Sequence, residues 1–334
     1  MDYKLNFTKD QEDLIWNERH AFDERMEALA ANSRSALIGN ALPIPLDAWR
    51  RIDSRAQAIA RSRLAVFGRL AQANTTPVGI ADLLSYYAQT TDSNEVLVTM
   101  DGRVETKGDQ ANVQMVGTPV PIVTTGARFG WRQMEVIRRG GNMIDQATFA
   151  NGQRRLAEWL ENMVLNGVPT VNVAGASIQG LRTFTQRFTG NHTFTLATAT
   201  GANWVTAVNQ MLSGLESRNQ FGQVTIFVNQ GDYRSIDTRD YAANYPGTIL
   251  QRLLAISQVA EIVPASSVPV NEMIGVADIG SGEWGSVLSA MPITTRPKTR
   301  QDPEDDYVFT MMAAQALQLR ADANGQSAVA HLVQ

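Results

Sequence analysis

The 334-residue chain contains no cysteine. That excludes disulfides, thiolate nucleophiles and every cysteine-ligated zinc site. Histidine is nearly as scarce, with only His20, His192 and His331. A serine triad needs an imidazole beside its nucleophile. His20 lies in a charged helical stretch, His192 in a Gly-Asn turn and His331 near the end, so each reads as a solvated or hydrogen-bonded residue. A G-x-S-x-G elbow is also missing. No apolar run reaches the ~20 residues that span a bilayer. The N-terminal MDYKLNFTKDQEDL has neither the apolar core nor the cleavage site of a secretion signal. There is no internal repeat and no low-complexity tract.

What is present describes a folded chain. Hydrophobic residues make up 44% and charged residues 19%, inside the globular range, so a large core or two domains are expected. The net charge of −4 gives the whole protein no general attraction for nucleic acid.

Residues 8–38 read as a helix carrying Leu14, Ile15, Phe22, Met26 and Leu29, ended by Gly39 and Pro43-Ile44-Pro45. A second amphipathic helix is expected over 47–70. It holds six arginines, Arg50, Arg51, Arg55, Arg61, Arg63 and Arg69, against one acid, Asp53. Three uses of that basic face stay open: contact with packaged nucleic acid, contact with a partner's acidic face, or plain solvation. No aromatic residues interleave with the arginines as a base-stacking platform would require. A third, short helix is expected over Gly79–Gln89.

The texture changes after Thr90. Residues 95–125 are rich in Val, Thr, Gly and Gln, and Asp101-Gly102 is a hairpin signal. A protruding β-hairpin cannot bury both of its own faces and needs support from elsewhere. A strong helix follows, capped by Asp145 and closed by Asn166-Gly167. Its buried stripe is Leu156, Leu160, Met163 and Val164, with Arg154, Arg155, Glu158 and Glu161 outside. Another helix over 202–217 aligns Trp204, Val208, Met211, Leu212 and Leu215. Strands are expected at 224–229, 258–263, 272–277, 286–294 and SAVAHLV. Residues 307–321 fit helix or strand by pattern, and strand is the choice made.

Two motifs invite chemistry. Gly280-Ser-Gly282-Glu-Trp-Gly285 matches the dinucleotide-binding spacing, but the following SVLSAMPITTRP reads as strand, so the helix that would hold a phosphate is missing. A tight turn between strands is expected instead. The cluster Asp302, Glu304, Asp305, Asp306 lacks the alternation and distal Glu of a calcium loop and reads as a solvated turn. No catalytic residue, cofactor or metal is expected. An enzyme remains the alternative from another class, if His192 and the acidic cluster were to converge.

Residues 118–167, TPVPIVTTGARFGWRQMEVIRRGGNMIDQATFANGQRRLAEWLENMVLNG, carry a family pattern. Pro119 and Pro121 lead into Trp131, Arg132 and Glu135. Then come Arg138, Arg139, Gly140, Gly141, the long helix with Asn166-Gly167, and Ile178-x-Gly180-Leu181. This resembles the tailed-phage capsid proteins and encapsulins. The resemblance implies an α+β chain with the Johnson capsid fold. Its parts would be a helical N-terminal arm (1–90), an extended β-hairpin loop (91–128), a peripheral domain (129–200 and 290–334) with spine helix 145–166, and an axial domain (201–289). It implies a major capsid protein assembling into the icosahedral head of a tailed phage around its DNA. The alternative is an encapsulin-like shell around a cargo enzyme.

Implied partners are copies of itself in hexamers and pentamers, with scaffold, portal and decoration proteins, and non-specific contact with packaged double-stranded DNA but with no membrane. The implied location is the virion, after assembly in the bacterial host cytoplasm. Lys107, Trp131, Arg132, Glu135, Arg138 and Arg139 are the expected inter-subunit contacts, and the six arginines the expected inner-face helix. Some relatives crosslink a loop Lys to a peripheral Asn through a nearby Glu. Lys107 and Asn324 stand in the corresponding places, but no acid clearly matches, so Lys107 is expected to be solvated.

Overall fold

The computed structural model describes residues 9–31, 64–90, 100, 112–132, 134, 146–243, 245–302 and 304–334. Six helices are used here: α1 (Lys9–Ala31), α2 (Val66–Ala73), α3 (Gln146–Asn166), α4 (Gly201–Glu216), α5 (Gln230–Thr238) and α6 (Ile249–Leu254). The strands are β1 (Thr75–Pro77), β2 (Leu84–Thr90), β3 (Val113–Pro119), β4 (Ile122–Phe129), β5 (Val168–Val173), β6 (Ala176–Ile178), β7 (Phe188–Asn191), β8 (Val224–Val228), β9 (Asp240–Ala242), β10 (Tyr245–Thr248), β11 (Val259–Pro264), β12 (Met273–Ala277), β13 (Gly285–Pro297), β14 (Tyr307–Leu319) and β15 (Val329–Val333). The chain divides into two compact units, Met1–Leu83 with Val120–Asn162 and Val287–Ala316, and Leu84–Pro119 with Met163–Ser286 and Leu317–Gln334.

The first unit is built on a four-stranded sheet ordered β1-β13-β14-β4. β13 is buried along nearly its whole length, as a central strand covered on both faces should be. The edge strand β4 alternates instead and pairs antiparallel with β14 from Tyr307↔Phe129 to Ala314↔Ile122. That register brings Phe129, Phe149 and Phe309 into one aromatic cluster, with ring centroids 5.1–6.0 Å apart. Residues 307–319 are strand, as chosen between the two readings. From α1, Ile15 and Phe22 are buried, Arg296 of β13 pairs with Glu18, and Arg19 donates to the Thr295 carbonyl at 3.4 Å.

The second unit carries a five-stranded sheet ordered β11-β8-β12-β15-β7. β8 and β12 are wholly buried. α4 lays its expected stripe of Trp204, Val208, Met211, Leu212 and Leu215 in the core, and Thr200 caps it by accepting from the Asn203 amide. Thr248 and Gln251 form a reciprocal capping box at the start of α6.

The end of α3 explains why the Asn166-Gly167 and Ile178-x-Gly180 patterns occur together. Gly167 has φ +69°, and a Cβ there would lie 2.4 Å from the Ile178 carbonyl oxygen. A Cβ on Gly180 would lie 2.4 Å from the Gly167 nitrogen. Two bare backbones must pass each other, so neither position tolerates a side chain. The close approach lets Leu181 and Arg182 amides donate to the Val164 and Leu165 carbonyls at 2.9 and 2.8 Å. Two orphan acceptors of the helix end are thereby satisfied.

Two sequence expectations change. Gly79–Gln89 is not a helix: residues 84–90 form β2, paired antiparallel with β3 in unbroken register from Leu84↔Pro119 to Thr90↔Val113. Tyr86 and Tyr87 suit a strand, and the pairing partner almost thirty residues away overrides a helical spacing. The expected turn at Asp101-Gly102 lies outside the described residues. Nor does the expected basic helix run on to residue 70 unbroken: Leu64 and Ala65 are not helical and a separate helix, α2, starts at Val66, while residues 47–63 lie outside those described. The first helix is seen as α1 up to Ala31.

Candidate assembly surfaces and a buried charge cluster

The β2–β3 ribbon presents two chemically different faces. Successive residues of a strand point to opposite sides. Ser85, Tyr87, Gln89 and Thr118 lie on one side. There Gln89 donates to the Ala321 carbonyl at 2.9 Å, Gln318 donates to the Ser85 carbonyl at 3.2 Å, and the Arg320 guanidinium lies 6.0 Å from the Tyr87 ring. Burial pushes the Tyr87 phenol above its ordinary pKa, against the opposing hydrogen bonds from Ala321 and Gln89 and the charge of Arg320. The other side carries Leu84, Tyr86, Ala88, Val113 and Met115. Tyr86 is 59%, Met115 64% and Val113 53% exposed. Exposed apolar side chains therefore line this face of the ribbon.

In the first unit, α2 follows Ala65, whose methyl group cannot cap it. Glu161 of α3 supplies the cap from 95 residues away. Its two carboxylate oxygens accept from the Val66 and Phe67 amides, each at 2.9 Å. The expectation that Glu161 lies outside the buried stripe is corrected: it is 3% exposed. A carboxylate at a helix N-terminus meets unsatisfied N–H groups and the positive end of the dipole, which makes its burial tolerable. No sequence pattern marks it, because the amides it serves are remote.

The expected contact residues are only partly described. Trp131 is half-buried and its amide donates to Asp306 at 3.3 Å, while Arg132 is exposed. Asp306 also takes Arg128 at 2.6 Å. Lys107, Glu135, Arg138 and Arg139 lie outside the described residues, as do Arg50, Arg51, Arg55, Arg61 and Arg63. Arg69 is half-buried on α2. The acidic segment is a turn: Asp305 accepts from the Gln301 and Asp302 amides at 3.0 and 2.9 Å, and these bonds hold its carboxyl below the usual range. Among the described residues no group of three or more His, Asp or Glu could hold a metal ion.

The glycine motif at 280–285 is a turn between β12 and β13. Gly285 has φ +136°, and a Cβ there would sit 2.0 Å from the Gln318 carbonyl oxygen, so its glycine serves backbone packing. His192 is buried, with Nδ1 2.8 Å from the Phe194 carbonyl and Nε2 3.1 Å from that of Asn271. Both ring nitrogens are engaged by backbone.

His331 has different surroundings. It is 4% exposed on β15, with Nε2 3.0 Å from Glu272 Oε2 and Nδ1 3.4 Å from Arg187 Nε. Glu272 is gripped bidentately by Arg182, at 2.7 Å on each oxygen, and Arg182 also donates to Asn166 Oδ1 at 2.5 Å. Burial would raise the Glu272 pKa, but the bonds and charges of Arg182 and His331 outweigh it and hold the carboxyl low. Burial pulls His331 below its ordinary value, against the raising effect of Glu272.

The fold is that of tailed-phage capsid proteins, the Johnson fold. The capsid of the myovirus phage XM1 aligns at TM-score 0.62 and 9% identity, over 80% of this chain and 91% of that one. The virus-like particle from Pyrococcus furiosus aligns at TM-score 0.57 and 12% identity, over 86% of this chain and 100% of that one. A chain from Mycobacterium phage Bobi aligns at 0.55 and 13%, over 79% and 89%. By sequence, residues 38–332 match the model of a family of unknown function, DUF6260, and the chain belongs to that family. No curated protein matches it.

Proposed function

We propose that this chain is a major capsid protein that self-assembles into the icosahedral head of a tailed phage and encloses its double-stranded DNA. The observation that carries the reading is the ribbon: a two-stranded element with one face packed on its own chain and the other apolar and open. On a Johnson fold, a second copy covering that face removes apolar area from water. One such contact is weak, and a closed shell repeats it many times.

On this reading 1–90 forms the arm and 91–128 the extended loop. Residues 129–200 and 290–334 form the peripheral part around α3, and 201–289 the axial part. β7 and β15 are better counted with the axial part, since they pair into its sheet. Trp131, Arg132, Glu135, Arg138, Arg139 and Lys107 remain proposed contacts between subunits. Hexamers and pentamers of the chain are the proposed building blocks, with scaffold, portal and decoration proteins as accessory partners. The protein would act structurally and not as a catalyst, in the virion, after assembly in the host cytoplasm.

A second reading has its own support. The virus-like particle from Pyrococcus furiosus is covered over its full length, which is compatible with an encapsulin-like shell around a cargo enzyme.

Electron microscopy of the chain expressed alone and purified by size exclusion tests both. Closed shells or capsomer rings support the assembly reading, and a monomer that forms no particles with or without a co-expressed scaffold overturns it. Particles carrying a host enzyme support the second reading.

A further inference from the structure

The cluster around His331 gathers residues far apart in sequence. Asn166 ends α3, Arg182 and Arg187 lie between β6 and β7, Glu272 precedes β12, and His331 belongs to the last strand. An arginine side chain only donates hydrogen bonds. With Arg187 Nε donating to Nδ1, the single imidazole proton sits on Nε2 and is given to Glu272. Both ring nitrogens are therefore used, and only by the neutral ring. Among the described residues the charged groups that act on the ring are Glu272, Arg187 and Arg182, and β12 (MIGVA) and β7 (FTGN), the strands flanking β15, carry no titratable side chain. α4, which also packs on β15, carries only Glu216, and that accepts from Gln258 at 2.7 Å.

We propose that this cluster is an acid-sensitive latch that holds the C-terminal strand β15 in the five-stranded sheet. A second proton on His331 turns Nδ1 from acceptor to donor and points it at the N–H of Arg187. It also adds a positive charge near the guanidiniums of Arg187 and Arg182. The bond to Arg187 is lost, and β15 is freed from the segment leading into β7. The inference rests on the geometry within the second unit and does not depend on the shell reading.

The sign follows from linkage. The ring charges more readily when β15 is open, so the open state binds more protons and acid favours it. The stabilisation is complete well above the ordinary His value of 6.5 and is lost as pH falls below it. One proton raises the opening constant by at most about tenfold per pH unit.

Hydrogen exchange followed by mass spectrometry on the full chain, corrected for intrinsic exchange rates, tests this at pH 7.5 and 5.5. Peptides covering 327–334 and 188–192 are expected to lose protection by up to about tenfold, with those over β8 changing less. H331Q supplies a donor and an acceptor that do not titrate, and should abolish the difference. R187Q removes a cation that holds the closed-state ring below its open-state value, and should shrink the pH difference. Should H331Q not fold, NMR of the wild-type His331 ring still decides. A neutral Nε2–H tautomer at pH 7.5, with titration below the ordinary value, upholds the latch. A ring charged at pH 7.5, equal loosening in H331Q, or no loss of protection at pH 5.5 overturns it.

Discussion

Tyr86 and Tyr87 are the same residue at adjacent positions, and their surroundings are opposite. Tyr87 lies on the supported face of the ribbon, its hydroxyl 3.3 Å from Gln89 Nε2 and Arg320 near its ring. Tyr86 stands in the open beside Met115 and Val113. The pleat of the strand makes this difference. One face is satisfied within the chain, and the other supplies what a second copy would bury. α3 repeats the contrast. Glu158 is exposed and only 3.8 Å from Arg154, whereas Glu161, three residues on, is buried and caps α2.

The comparison can be broken by substitution. The largest effect is expected from Y86D combined with M115D. Particle formation should fall to background, because a charged pair repeats at every copy of the interface. The unassembled chain should melt within about 2 °C of wild type, since exposed positions contribute little to stability. Electron microscopy and calorimetry read the two sides separately, and a large drop in melting temperature would show that the open face is internal packing.

Next comes E161A, which leaves two buried amides without acceptors. A loss of roughly 2–4 kcal/mol is expected in denaturant titration, against less than about 0.5 kcal/mol for E158A. Equal losses would erase the inward–outward distinction on α3.

Y87A should cost about 2 kcal/mol, below the 3–5 kcal/mol of a fully buried aromatic. Y87F should cost roughly 1 kcal/mol or less for the hydroxyl bond. Neither should prevent assembly under conditions where the chain stays folded.

The readable parts were those whose partners are local. The stripe Leu156, Leu160, Met163, Val164 and the Gly167 stop foretold α3, and the run VTIFV foretold β8. The absence of a helix after Gly285 identified the glycine motif as a turn. The error at Gly79–Gln89 has a physical cause. Leu83, Leu84 and Tyr87 fit one helical face, and nothing inside that window reveals that 113–119 will pair with it. Glu161 was misplaced for a related reason. It lies outside the apolar stripe by type, and its ligands are the bare amides of an uncapped helix elsewhere. The proposed contact set rests on a family resemblance alone, and Lys107, Glu135, Arg138 and Arg139 lie outside the described residues.

The sequence by itself determined that this chain is globular, cysteine-free and poor in the groups of nucleophilic catalysis. It also determined where most helices and strands begin and end, because caps, turns and apolar periodicity act within a few residues. Only the tertiary structure decided which of two adjacent tyrosines faces outward, which glutamate of α3 is buried, and that residues 166, 182, 187, 272 and 331 form one charge cluster. Those outcomes depend on strand register and on backbone approach between distant segments. Pairing energies set them over separations that no local pattern records.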